Sequence, residues 1–211
     1  MHVVTLLLSL ILSVVPVSTA KATSAAKPPV APPTLETITL GGGCFWCTEA
    51  VFEELKGVEK IESGFSGGTV ASPSYEQVST GRTGHAEVSE LTFDPKVISL
   101  KDLLGIFFTV HDPTTLNRQG FDVGTQYRSV IFYRDAQQQA TALQAIKDIT
   151  AKHVYPHKIV TEVTPFKAFY KAEDYHQQYF KLHGSEQYCQ NIIAPKVAKL
   201  RYHFLSRLKT K

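Results

Sequence analysis

Methionine is all but missing from this chain of 211 residues. Met1 is the only one, so the rest of the chain offers an oxidant no thioether. Cysteine is scarce as well. Cys44, Cys47 and Cys189 are too few, and odd in number, for a scaffold stapled by disulfides, so at least one thiol is either buried and inert or kept reactive. A zinc site built on Cys44 and Cys47 needs two further ligands. With Cys189 the only sulfur left, it would have to recruit His85, His111 or His176, and no metal is expected. An excess of one charge is lacking too: 22 Lys and Arg stand against 19 Asp and Glu, a formal net charge of +3. The basic residues are scattered rather than striped, which excludes a nucleic-acid-binding face.

Residues 1–20 contain no Asp, Glu, Lys or Arg. Val3 to Val17 is an almost unbroken apolar run that ends in the small residues Ser18, Thr19 and Ala20, the layout of a secretory signal cleaved after Ala20. The run is short for a membrane span and has no basic stop on its cytoplasmic side. The expected destination is export, to a periplasm or to the exterior, with no membrane-spanning segment in the mature form. Residues 21–34 form a Pro/Ala-rich linker that would not pack. One folded domain, 35–211, should follow, a length that suits a single core.

Glu36 to Leu40 alternates as a short strand and runs into three glycines. Thr48 to Leu55 has a helical pattern, with Ala50, Val51, Phe52 and Leu55 on its buried side and Gly57 as terminator. Val58 to Phe65 predicts a strand, and residues 66–84, rich in Gly, Ser, Thr and Pro, a loop. In His85 to Phe93, Ala86 and Val88 alternate, then Leu91 and Phe93 resume one residue out of phase, which predicts a bulge. Ser99 caps a helix over Leu100 to Val110, with Asp102 completing a weak capping box. Residues 111–125 predict a long ordered loop and Tyr127 to Tyr133 a strand, while Ala136, Ala140, Leu143 and Ile146 mark a helix. Lys158 to Val163 reads as another strand and Glu173 to Leu182 as a helix; residues 196–211 have too little punctuation to assign. Strands interleaved with helices around one core give an α/β or α+β sandwich with a mixed sheet.

Residues 41–47, Gly-Gly-Gly-Cys-Phe-Trp-Cys, lead directly into the first helical pattern. Cys44 therefore sits where a helix begins, and the positive end of the dipole, with its unpaired N–H groups, can hold a thiolate at neutral pH. The glycines allow a tight turn and expose backbone donors near the sulfur. Phe45 and Trp46 offer apolar surface for a small uncharged group. Cys47 completes Cys-x-x-Cys, the spacing of a redox dithiol. The chain reads as a thiol-chemistry enzyme. A general dithiol–disulfide oxidoreductase using Cys44 and Cys47, and a non-catalytic secreted binding module, are the alternatives.

Gly42-Gly43-Cys44-Phe45-Trp46 is similar to the signature of the A-type peptide-methionine (S)-S-oxide reductases. Further blocks carry the resemblance in order: Tyr75 to Val78, Gly81 to Glu87, His111 to Gly120, Asp122 to Ser129, Ala172 to Tyr179, and Tyr188-Cys189. The resemblance implies a two-layer α/β sandwich, α+β in character, with a ferredoxin-like core. It further implies thiol-dependent reduction of methionine (S)-S-oxide, free or in oxidised proteins and peptides, by a monomer with no bound cofactor. Electrons would come from a thioredoxin-like dithiol, or from dithiothreitol in vitro.

The same resemblance implies roles. Cys44 attacks the sulfoxide sulfur while Glu87, in a partly apolar site with a raised pKa, protonates the oxygen. Tyr75 and Tyr127 bind that oxygen, and Asp122 orders the hydrogen bonds of the pocket. Phe45 and Trp46 receive the methyl group, with His85, Gln126 and His176 in support. A methyl pocket discriminates by only about 1–3 kcal/mol, so stereochemical selection needs methyl, oxygen and sulfur placed together. Cys44 would become a sulfenic acid, and Cys189, in a mobile stretch near the C-terminus, matches the recycling thiol. Cys44–Cys189 is the implied first disulfide, with Cys47–Cys189 a later exchange state. Cys47 stands where many relatives carry Gly, which leaves it either a relay thiol or a buried passenger.

Overall fold

Glycine decides how the first strand reaches the first helix. In the computed structural model, which describes residues 1–2 and 34–210, β1 spans Glu36–Gly42 and includes two of the three glycines. A Cβ on Gly41 would lie 2.8 Å from Val130 Cγ1 and 3.0 Å from the Glu87 carbonyl oxygen. Gly41 is thus there for close strand packing. Only Gly43, at φ +94°, makes the turn. Helix α1 then runs Phe45–Phe52 with Cys44 as its N-cap. It starts three residues before the predicted helical pattern. Leu55, beyond its end, is buried and bridges to Leu208.

The chain continues as β2 (Val58–Ser66), α2 (Tyr75–Ser79), β3 (Ala86–Phe93) and α3 (Leu100–Val110). After these come β4 (Arg118–Gln119), β5 (Asp122–Val123), β6 (Ser129–Tyr133), α4 (Ala136–Ala151), β7 (Glu162–Pro165) and β8 (Phe169–Lys171). Helices α5 (Tyr179–His183) and α6 (Ala194–Phe204) close the chain. The large sheet has the order β7-β6-β1-β3-β2-β8. Its four inner strands pair antiparallel, with β3 splitting the β1–α1–β2 unit and β1 splitting β3–α3–β6, the ferredoxin-like arrangement. β7 joins β6 in parallel at one edge and β8 joins β2 antiparallel at the other, so the sheet is mixed as expected.

The helices cover one face of the sheet. Ile38, Leu40, Leu91, Phe93 and Ile131 meet α1, α3 and α6 there in the main core. On the opposite face Ala86, Val88, Val130 and Phe132 form a smaller cluster under Phe166 and Phe169. This two-sided burial corrects the predicted bulge in β3. Ala86 and Val88 face the small cluster, while Glu87, Ser89, Leu91 and Phe93 face the helices, so alternation is unbroken. The register shift of this pair lies instead at Val58/Lys60 in β2.

Other departures have local causes. The predicted 66–84 loop contains α2, started by a full capping box of Ser74 and Gln77. The Ser99–Asp102 box before α3 is formed as expected. Helix α4 turns a different face inward from the one read off the sequence, leaving Ala136, Ala140 and Leu143 exposed. The Gln138 side chain reaches the Thr37 carbonyl (3.0 Å) and accepts from Arg134 N–H (3.0 Å), so Ala142, Ile146 and Ile149 point inward. Tyr127 belongs to a 3-10 turn before β6, and β7 starts at Glu162 rather than Lys158. The predicted 173–182 helix splits at Gln178, φ +53°. There the Gln177 amide bonds to Ser63 and Ala172 backbone groups instead of continuing the turn. The unassigned tail supplies α6. The expected signal segment and linker lie outside the described residues apart from Met1, His2 and Thr34. Among the described residues no helix is long and apolar enough to cross a membrane.

Candidate active site

Strand alternation points Glu87 at the start of α1. The Phe45 N–H, the first free donor of that helix, donates to Glu87 Oε2 at 3.2 Å. The carboxyl is 2% exposed. Burial pushes its pKa up to about 8; the Phe45 hydrogen bond opposes this, and the charges of Asp122 and Cys47 add to it. Glu87 therefore keeps its proton at neutral pH.

Cys44, 5% exposed, lies beside it at the cap, and its carbonyl accepts from Cys47 N–H at 3.1 Å. The two thiols share the first turn of α1, close enough that each shifts the ionisation of the other. Burial raises Cys44 well above the ordinary thiol value, and the neighbouring Cys47 thiol and the charge of Glu87 raise it further. Cys47 is drawn down to about 7, chiefly by the neighbouring Cys44 thiol, against burial and with help from Lys196. Burial thus opposes the expected thiolate on Cys44, and Cys47 is the more acidic of the two thiols. The helix-start donor that would have faced the sulfur is committed to Glu87.

Two phenols close the oxygen side. Tyr75 opens α2, and its N–H donates to Glu173 Oε1 at 3.0 Å. Tyr127 ends the 3-10 turn before β6. Burial, then the Glu87 charge, raises both phenols, so each stays a donor. Asp122, on the β4–β5 hairpin, accepts from Tyr188 Oη at 2.9 Å. Tyr188 also favours the ionised Cys44 sulfur, drawing its pKa down against burial. While Cys44 holds its proton the phenol donates to Asp122, and it turns to the sulfur when Cys44 ionises. Sequence reasoning assigned Tyr188 no role; its only signal was its place beside Cys189.

The apolar wall is layered. Phe45 packs between Phe65 (5.8 Å between centroids), Tyr75 (6.3 Å) and His176 (5.1 Å). Trp46 stacks on Tyr179 at 3.7 Å, and its indole N–H donates to His176 Nδ1 at 3.2 Å. Burial lowers the His176 pKa, which keeps the imidazole neutral and Nδ1 free to accept. His176 supports Trp46 and Tyr75 from beneath.

Three sequence-derived placements change. His85 is bound away from the sulfur: Nδ1 accepts from Gly68 N–H (3.1 Å) and Nε2 faces the Val70 carbonyl (2.7 Å), bracing the loop after β2. The Gln126 amide reaches the Ser79 carbonyl at 3.4 Å and braces the end of α2. Cys189 is fully buried on the π-helical turn Cys189–Ile193, where Ile193, Val197 and Leu200 pack that segment into the main core, so it must leave this position to reach a partner thiol. Cys47, by contrast, sits in the first turn of α1 with its N–H on the Cys44 carbonyl at 3.1 Å.

The peptide methionine sulfoxide reductase family model matches residues 36–208. The peptide methionine sulfoxide reductase MsrA of Deinococcus radiodurans is 52% identical over 174 residues, covering 82% of this chain and 84% of that protein. Its counterpart in Sulfolobus acidocaldarius is 54% identical over 170 residues, covering 81% and 96%. Among solved structures, reduced Mxr1 from Saccharomyces cerevisiae superposes with a TM-score of 0.67 at 36% identity, over 74% of this chain and 89% of that one. Methionine sulfoxide reductase A of Corynebacterium diphtheriae gives 0.65 at 36% identity, over 72% and 77%.

Proposed function

The chain belongs to the peptide methionine sulfoxide reductase family, and from that premise we propose how its own residues carry the reaction. The enzyme reduces methionine sulfoxide in a thiol-dependent reaction. The observation that carries the assignment of roles is the meeting of Cys44 and a protonated Glu87 at the start of α1.

Cys44 attacks the sulfoxide sulfur as the thiolate, its proton having left to solvent, and Glu87 gives its proton to the oxygen, turning a poor leaving group into a hydroxyl. Tyr75 and Tyr127 donate to the same oxygen as it gains negative charge. Phe45 and Trp46 hold the methyl group. Methionine leaves, and Cys44 carries the oxygen as a sulfenic acid. Cys47, in the same helical turn with its N–H on the Cys44 carbonyl at 3.1 Å, attacks next, forming the disulfide and releasing water. This order replaces the expected first disulfide, Cys44–Cys189. Cys189 then exchanges with Cys47, which frees Cys44 and leaves Cys47–Cys189 for a thioredoxin-like dithiol to reduce.

The S epimer is the substrate in this reading: separate walls for methyl, oxygen and attacked sulfur make the site select one epimer, and the motif resemblance implies S. Residues 1–20 support export to a periplasm or beyond, where a thioredoxin-like donor outside the cytosol would serve it. The test is incubation of the purified protein with each epimer of a blocked methionine sulfoxide and dithiothreitol, followed by chromatography. The S epimer should be consumed and the R epimer remain, and Cys44→Ser should form no methionine even in excess thiol. Equal consumption of both epimers refutes the specificity, and normal product from Cys44→Ser refutes the nucleophile.

A further inference from the structure

Behind the cysteine pair lies a narrow cavity of about 10 Å³, bordered by Cys47, Thr48, His111, Lys196 and the rings of Phe52 and Phe107. That volume is at the threshold for a single water, so little solvent stands between the charged groups that face it. Lys196 is the third residue of α6, and its side chain lines this cavity together with Cys47, whose pKa its positive charge helps to lower. It is half-buried, and among the described residues it makes no ion pair with a carboxylate.

The other groups around Cys47 do not supply positive charge. His111, on the same cavity, is held neutral because burial lowers its pKa to about 4. Its ring is already engaged by the Phe107 carbonyl (2.6 Å) and Ser129 Oγ (2.8 Å). Glu87 on β3, Asp122 on β5, Tyr188 just before the π-helical turn, Cys189 on it and Cys44 at the start of α1 also face Cys47, and none is a cation; Lys199, one turn further along α6, acts on His111 instead. A buried thiolate without a countercharge is costly, and an ammonium lining the same nearly dry cavity offsets this.

We propose that Lys196 is a positioning residue of the recycling half-reaction, its ammonium holding Cys47 as the thiolate that resolves the Cys44 sulfenic acid. In that step the Cys47 sulfur forms a bond to the Cys44 sulfur and the Cys44 S–O bond breaks. The oxygen departs as hydroxide and takes up a solvent proton to become water; the Cys47 sulfur is oxidised and the Cys44 sulfur reduced. The inference rests on the reading of Cys47 as the first resolving thiol. It adds what makes that thiol competent at neutral pH, a charge that reaches from the last helix to the first.

Two measurements on the full chain test it. The first is the pH dependence of Cys47 alkylation by iodoacetamide in the reduced protein, followed by peptide mass spectrometry. The second is the rate at which the Cys44–Cys47 disulfide replaces a dimedone-trappable sulfenic acid after one equivalent of blocked methionine (S)-S-oxide, without reductant. Lys196→Met should raise the alkylation midpoint by about one pH unit and slow disulfide formation about tenfold at pH 7. Lys196→Arg, which keeps the charge, should restore both. If the Met variant fails to fold, Lys196→Gln supplies the same comparison. An unchanged alkylation midpoint in a folded, charge-free variant overturns the inference. Disulfide formation at the normal rate in Cys47→Ser overturns instead the reading of Cys47 on which it rests.

Discussion

Replacing Glu87 with Gln separates the chemical role of this carboxyl from its effect on stability, because the two move in opposite directions. The amide keeps an oxygen to accept the Phe45 N–H bond at 3.2 Å but has no acidic proton to give. With a pKa of about 8 the wild-type group is mostly protonated at pH 7, so the variant loses a general acid that is in its active form. Such an acid is worth about 10²–10⁴ in rate, or about 3–5 kcal/mol of barrier. Stability runs the other way. The unfolded chain releases this proton near pH 4.5, whereas the native chain holds it up to about pH 8, so native stability falls as pH rises between those values. By pH 7 the penalty is on the order of 3 kcal/mol, and a neutral amide at this position does not carry it.

The assay is single-turnover methionine release from a blocked sulfoxide by quenched flow, from pH 6 to 10, together with urea melts at pH 4 and pH 7. The wild type should lose rate above pH 8 and the variant should be slow at every pH. The variant should also be the more stable protein at pH 7 but not at pH 4. A rate within threefold of wild type refutes the acid. A stability difference independent of pH refutes its raised pKa.

Gly43→Ala should disturb the cap itself: at φ +94° its Cβ would fall 2.6 Å from the Gln119 side chain, and we expect a loss of about 1–3 kcal/mol in thermal unfolding with a lowered turnover. Tyr188→Phe removes a donor that favours the Cys44 thiolate, so alkylation of Cys44 at pH 8 should slow by roughly tenfold. Faster alkylation would mean that the ring acts only as a cover. Trp46→Phe loses the bond to His176 and part of the stack on Tyr179, which should cost about 1–3 kcal/mol in a urea melt and raise KM for the sulfoxide. An unchanged melt would show that the stack is incidental.

Local chemistry that depends on neighbours in the chain was legible in the residues alone. The Ser99–Asp102 box, the strand into glycine, and a cysteine at a helix start followed by two aromatic rings are short-range patterns, and each appears where it was read. The motif blocks also carried Glu87 into the site without indicating which way its strand faced. What stayed out of reach involves a second surface. The false bulge in β3 arose because both faces of that strand are buried, so apolar residues no longer mark one side. The α4 stripe was misjudged because a glutamine, polar by composition, is buried by backbone partners far along the chain.

Residue type at fixed spacing was enough to name a candidate nucleophile, a candidate acid and the family of reactions, because motifs are local and survive without coordinates. Tertiary packing was needed to say which thiol is the more acidic, which cysteine stands beside Cys44, and that Tyr188 and Lys196 lie next to the pair. Those outcomes depend on burial and on charges brought together from β3, the β4–β5 hairpin and the C-terminal helix. A proton's resting place is set by the distances between such groups, and chain spacing does not encode them.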